Sequence, residues 1–357
     1  ERVDLAAVHV LDKAFIDYNT PKVLVALERL GSAGEAARHV HELLAGAGTT
    51  GWRPLIDNLT AVEDELRRAP HDRDGRPLFL NPAQLRAFRG AIAAPLSLIW
   101  GPPGTGKTFM LGHLLLAYVL AAEWQNRPVR ILVTAFTHNA IGNVLNKVVE
   151  LLAAYGLAGP GTVVAKVHGS QGPDGEDRLP SAVARVPHKN LPGLLAGETP
   201  RLIVGSTVWG VASAMKEAGD GLQSWFDVIL IDEASQMKLP EALIAFSAGA
   251  PDGTVILAGD DRQLPPIIHG AYPEEHEAML SSVFAYMRDR IEARDVPEPG
   301  FAARAIFQLE DNFRANKPLI VYQGDALYNG RFFSQQPGIR IRTQPPAEDT
   351  DDLIDFL

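Results

Sequence analysis

LSLIWGPPGTGKT, residues 96–108, is the stretch on which the fold turns. Five apolar, strand-forming residues run into a glycine-rich turn that ends in Lys107 and Thr108. TFMLGHLLLAYVL, residues 108–120, continues as a helix-forming run. Strand, glycine loop and helix in that order make a phosphate cradle. Gly101, Gly104, Thr105 and Gly106 let backbone N–H groups converge on phosphate oxygens. Lys107 is expected to reach the β- and γ-phosphates, and the Thr108 hydroxyl to hold Mg²⁺. The helix adds the partial positive charge of its N-terminus. A chance glycine loop would lack the flanking strand and helix, so the stretch predicts nucleotide binding.

Outward from this unit, apolar runs recur at 130–134 (RILVT), 162–167 (TVVAKV), 201–205 (RLIVG), 226–232 (FDVILID) and 254–259 (TVILAG). Helical patterns lie between several of them. Continuous apolar strands alternating with helices predict an α/β fold, a parallel sheet covered on both faces. Residues 168–200 are rich in Gly and Pro and read as an insertion on that sheet. Residues 4–70 read as helices without visible chemistry; TPKVLVALERLG (20–31) offers Thr20 as N-cap, Pro21 in the first turn and Gly31 past the end. HDRDGRP (71–77) reads as a polar turn and ARDVPEPGFAA (293–303) as a second break. The expected organisation is a helical accessory region over 1–75 and an ATPase domain over 76–295. The beginning of a second, incomplete domain is expected over 304–357.

Composition bounds the function. The 357 residues hold no cysteine, which excludes disulfides and thiolate metal sites within the chain. No apolar run approaches the roughly 20 residues that span a bilayer, and no membrane role is expected. The chain starts at Glu1 without a signal-peptide pattern, and so reads as an internal stretch of a longer, cytoplasmic protein. Its Ala-, Arg- and Pro-rich usage points to a bacterial source. A net charge of −10 argues against a generally basic nucleic-acid binder, but not against a local basic track.

Two further strand ends carry acids or amides. VILIDEASQ ends in Asp232, suited to Mg²⁺, and Glu233, suited to accepting a proton from an attacking water. An acidic helix cap is the plainer reading of that pair. ILAGDDRQLPP offers Asp260 to the same network and Gln263 as a γ-phosphate sensor. In LNPAQLRAF, Gln84 carries a donor and an acceptor that match adenine, or simply starts a helix. In TAFTHNAIGNVL, Thr137, His138 and Asn139 suit either a phosphate of a bound strand or helix capping. DNFRANKPL (311–319), with Phe313 beside Arg314, is by itself a mildly basic turn with an aromatic.

Taken together, LNPAQ, GPPGTGKT, TAFTHNA, IDEASQ, GDDRQLPP and LEDNFR resemble, in order, the Q motif and motifs I, Ia, II, III and IV of superfamily 1 helicases. The similarity is to the branch of 5′-to-3′ polarity, which includes the nonsense-mediated-decay RNA helicase and the nuclease-helicase of Okazaki-fragment processing. It covers about residues 78–334. The resemblance implies RecA-like domains, ATP and Mg²⁺ as cofactors, and movement on single-stranded nucleic acid, DNA slightly before RNA. It implies that Arg314 is an arginine finger from the second RecA-like domain. Phe313 stands where the family usually has Tyr and is expected near the adenine. Motifs V and VI are not legible after LYNGRFFS, and no nuclease signature is visible. An arginine finger is worth about 10³–10⁵ in rate, so this segment alone is expected to bind nucleotide better than it hydrolyses it. The alternative to a motor is an ATPase switch or remodelling subunit, with protein partners in a larger bacterial defence or repair complex. A kinase or transport ATPase is disfavoured by motifs III and IV.

Overall fold

The computed structural model describes residues 19–46, 51–68, 79–169, 179–219, 223–266, 280–293 and 305–335. Residues 4–18, the turn at 71–77, residues 170–178, the break at 294–303 and the closing GIRIRTQPPAEDTDDLIDFL (338–357) lie outside the described residues.

All six apolar runs are strands: β1 (Leu96–Trp100), β2 (Val129–Ala135), β3 (Thr162–His168), β5 (Arg201–Gly205), β6 (Phe226–Asp232) and β7 (Gly249–Gly259). β4 (Val183–Pro187) and β8 (Ile306–Gln308) complete an eight-stranded sheet, and β9 (Asp311–Asn312) pairs with β10 (Phe333–Ser334). Helices α1 (Thr20–Ser32), α2 (Arg38–Leu44), α3 (Leu59–Arg67) and α4 (Pro82–Ile92) precede β1. Next come α5 (Lys107–Trp124), α6 (His138–Ala154), α7 (Leu191–Ala196), α8 (Val208–Ala218) and α9 (Leu239–Phe246). Among the described residues, α10 (Val283–Glu292) and α11 (Lys317–Leu327) close the series.

The strand order is β4–β3–β5–β2–β6–β7–β1–β8, with every neighbouring pair parallel. Side chains of a strand alternate between faces. Leu98, Leu132, Ile231 and Leu257 enter one core, whereas Ile99, Val133, Leu230 and Ile256 enter the other. Both sets are apolar because helices cover both faces, so these strands read as unbroken runs rather than alternating ones. α5 has no polar stripe; Met110 to Ala122 are all buried, and it packs among α3, α4, α6 and β2. No described helix is long and apolar enough to cross a membrane.

The N-terminal helices clad the same sheet. Ala26 and Leu30 of α1 and Val40 and Leu43 of α2 join the core under α8 and α9, while Val62 and Leu66 of α3 join the opposite core beside α5. α1 has Asn19, not Thr20, at its N-cap position, and runs through Gly31 to Ser32.

Two expectations are corrected. The stretch expected as an insertion over 168–200 supplies β4, which pairs with β3 from Val164↔Val183 to His168↔Pro187. β4 carries no apolar signal because only Val183 is buried; an edge strand packed on one flank needs no apolar run. The second unit expected from 304 does not begin apart from the first. β8 pairs with β1, Leu98↔Ile306 to Trp100↔Gln308, and the chain continues with Leu309 N–H donating to Trp100 O at 2.8 Å. Three residues are too short a run to announce a strand.

A close approach seats β8. The Phe307 ring fills the space above Gly90 of α4, where an added Cβ would lie 1.8 Å from Cζ. Gly90→Ala is therefore expected to overpack this contact and lower stability by about 1–3 kcal/mol, read as a lower urea midpoint. Phe307→Leu in the same chain should recover part of the loss. An unchanged midpoint in Gly90→Ala would show that β8 is held in some other way.

Candidate nucleotide site

A parallel sheet brings the C-terminal ends of its strands to one edge, where open α/β folds bind ligands. Because β6, β7 and β1 are neighbours, the sequence-distant loops after Asp232, Gly259 and Trp100 meet there. The chain leaves β1 with Gly101 N–H on Gly259 O at 2.9 Å. It then turns through Gly104 (φ +80°) and Gly106 (φ +73°), left-handed conformations that side chains rarely adopt. The surroundings are equally closed. A Cβ on Gly104 would lie 2.7 Å from the Arg314 Cβ, and one on Gly106 would lie 2.6 Å from Gln84 Nε2.

Lys107, at the start of α5, is 11% exposed and sits between two carboxylates, with Nζ 3.1 Å from Asp232 Oδ1 and 3.0 Å from Glu233 Oε1. Burial alone would pull the Lys107 ammonium down. The charges of Asp232 and then Glu233 outweigh it and hold the group above the ordinary lysine value. Glu233 has φ +51°, and its N–H donates to Asp232 Oδ1 at 2.9 Å. A non-glycine residue held there stores on the order of 1–3 kcal/mol.

The other expected residues have the following partners. Gln84 is 4% exposed; it forms a capping box with Asn81, its Oε1 accepting from Asn81 N–H at 3.1 Å. Its Nε2 donates to Thr105 O at 3.0 Å. The amide expected to read adenine thus braces the phosphate loop against α4. The Thr105 hydroxyl donates to Pro102 O at 2.8 Å, inside the loop. Asp260, expected at the nucleotide, is fully buried and receives four donors. Trp100 Nε1 (2.9 Å) and Arg262 N–H (3.1 Å) meet Oδ1; Gln263 Nε2 (3.0 Å) and the Tyr328 hydroxyl (2.9 Å) meet Oδ2. A carboxylate has about four acceptor positions, so these fill it from the protein. Gln263 reaches the site through Asp260. Thr137 caps α6, its Oγ1 accepting from Ala140 N–H at 3.2 Å; it, His138 and Asn139 are exposed at the helix N-terminus beyond β2.

Arg314 does arrive at the phosphate loop. Asn312 Nδ2 donates to Pro103 O at 2.6 Å, and Phe313 N–H donates to Gly104 O at 2.8 Å. Asn312 Oδ1 accepts from the N–H of Arg314 (2.9 Å) and Ala315 (2.7 Å), fixing the turn on which Arg314 stands. Phe313 and the Arg314 side chain are exposed above the loop. Asn312, Trp100 and Tyr328 were missed in the sequence. Asn312 lay inside the DNFR stretch, whereas nothing in LYNG marks Tyr328 as a partner of Asp260.

Gln84→Ala tests the revised role of that residue. Loss of the brace should weaken ATP and GTP alike, by about fivefold for one hydrogen bond of about 1 kcal/mol, read with fluorescent nucleotide analogues. A loss confined to ATP would restore the adenine-reading role.

The family described as "AAA domain" matches residues 84–269, just over half of the chain. The chain is 29% identical over 176 residues to the DNA replication ATP-dependent helicase/nuclease DNA2 of Saccharomyces cerevisiae, covering 49% of this chain and 10% of that protein. It is 29% identical over 297 residues to the ATP-dependent helicase NAM7 of the same yeast, covering 75% of this chain and 27% of that protein. It thus spans between a tenth and about a quarter of these relatives. Among solved structures, the UvsW helicase from bacteriophage T4 overlays with a TM-score of 0.39 at 15% identity, covering 60% of this chain and 63% of that one. The chain belongs to the AAA domain family, and its motif order is that of superfamily 1 helicases.

Proposed function

We propose that this chain is the ATP-binding part of a helicase or translocase that moves on single-stranded nucleic acid, DNA in preference to RNA. The observation that carries the reading is the meeting of three parts at one sheet edge. These are Lys107 between Asp232 and Glu233, the left-handed glycines of the phosphate loop, and the Arg314 turn docked on Gly104. The names of the relatives, a DNA replication helicase/nuclease and an ATP-dependent helicase, support it.

The residues fit ATP and Mg²⁺. A loop whose Gly104 and Gly106 leave no room for a Cβ, beside a largely buried cation, suits phosphate. Among the described residues no group of three or more His, Asp or Glu could hold a metal, so Mg²⁺ would rest on Thr108, Asp232 and the nucleotide's own oxygens. When bound, it would neutralise charge developing on the phosphates. Lys107 exchanges its two carboxylates for the β- and γ-phosphates. That exchange frees Asp232 for the ion and Glu233 to take a proton from the attacking water. Arg314 stabilises charge on the transferred group, and Gln263 orients the water or senses the γ-phosphate. Phe313, exposed beside that arginine with its N–H on Gly104 O, would pack near the adenine. Thr137, His138 and Asn139 offer a helix N-terminus to a strand phosphate. A bacterial cytoplasmic setting is proposed on composition alone.

Turnover of ATP by the full-length protein should rise on adding single-stranded DNA, and less on adding RNA; no response to either polymer overturns the motor reading. Stimulation without unwinding of a tailed duplex would instead favour a switch. Glu233→Gln should keep nucleotide binding and lose about 10²–10⁴ in turnover. Retained turnover would remove Glu233 from this role.

A further inference from the structure

Tyr328 lies 14 residues beyond Arg314, at the C-cap of α11, yet its hydroxyl ends on Asp260. It belongs to the same small unit as Arg314. β9 and β10 pair through Phe333↔Asp311 and Ser334↔Asn312, and the Ser334 hydroxyl donates to Ala315 O at 2.9 Å. One end of this unit docks on the phosphate loop through Asn312 and Phe313. The other end docks on the strand end that carries Gln263. Tyr328 is 3% exposed, packed against Trp100 (ring centroids 5.8 Å) and Phe332 (4.9 Å).

The chemistry of the contact is specific. Gln263 Nε2 and the Tyr328 hydroxyl donate to the same oxygen, Asp260 Oδ2, while Trp100 Nε1 holds the other. Burial, and then the charge of Asp260, push the Tyr328 hydroxyl well above the usual phenol range, so it keeps the proton it donates. A buried carboxylate that loses one of four donors turns toward those that remain. The amide of Gln263 shares that oxygen and turns with it.

We propose that Tyr328 is a positioning residue for phosphoryl transfer: through Asp260 it sets the Gln263 amide, and it locks that amide to the unit bearing Arg314. Gln263 and Arg314, the two groups assigned to the γ-phosphate in the proposed function, are thereby tied together. This proposal rests on the ATPase reading above.

The test uses Tyr328→Phe in the full-length protein, which keeps the ring and removes one oxygen. With single-stranded DNA present, kcat for ATP should fall about tenfold or more, the scale of one hydrogen bond to a charged group, with KM within about twofold. In a Gln263→Ala background, Tyr328→Phe should add nothing further, because both changes act on one element. Independent, multiplying losses overturn the proposal, as does an unchanged kcat. A second readout needs no turnover. The Trp100 indole N–H signal, assigned with Trp100→Phe, should shift in the nucleotide-free Tyr328→Phe protein; an unmoved signal also overturns the proposal. A wild-type protein that turns over no ATP removes the proposed function and the positioning role with it. That outcome is told apart from failure of the network because the indole signal still responds.

Discussion

The ion cluster of Lys107, buried Asp232 and partly exposed Glu233 is the constraint around which the rest is arranged. Drawing the Lys107 and Asp232 charges largely out of water is costly, and a buried pair is often no more stabilising than apolar residues of the same size. Such a cluster is therefore poorly explained as a stability device. It suits the proposed nucleotide site instead, where the two carboxylates keep the ammonium charged. To set it up, the ends of β1 and β6 must lie one strand apart with β7 between them. A parallel sheet delivers the C-terminal ends of its strands to a single edge. Both apolar cores and the all-round burial of α5 follow from that requirement.

The second constraint is how Arg314 is carried. Ion pairs decorate its approach: Glu310 meets Arg86 at 3.1 Å and also binds Arg331. Both arginines are more than half exposed, and such surface pairs contribute about 0–1 kcal/mol each. The stronger fixtures are the backbone hydrogen bond from Phe313 to Gly104, the Asn312 side chain that donates to Pro103 O and closes the turn, and the fit of Phe307 over Gly90. Gly104 serves twice here. Its left-handed conformation shapes the phosphate loop, and its missing Cβ admits the Arg314 turn. Phosphate loop and arginine segment are thus matched surfaces of one site.

Asp260 shows how a strand-end acid can serve the site without facing it. Its four donors come from β1, from its own loop and from the residue after α11. Its position at the sheet edge made a nucleotide contact the natural expectation. Saturation of its acceptors makes it the fastening between Gln263 and the Arg314 unit.

By itself the sequence determined the α/β class, six of the eight sheet strands, and some of the residues that meet at one sheet edge, Lys107, Asp232, Glu233 and Arg314 among them. Each of these is encoded locally: an apolar run, a glycine spacing, an acid at a strand end. It did not disclose β4 or β8, because an edge strand of mixed polarity and a three-residue strand carry no periodic signal. It did not show that the Gln84 amide braces Thr105, that Asn312 closes the Arg314 turn on Pro103, or that Tyr328 reaches Asp260. Those are pairings across 21, 209 and 68 positions. Only the tertiary structure decided them, because hydrogen-bond partners depend on which surfaces the packed helices and the sheet order bring within 3 Å, and no local pattern records that.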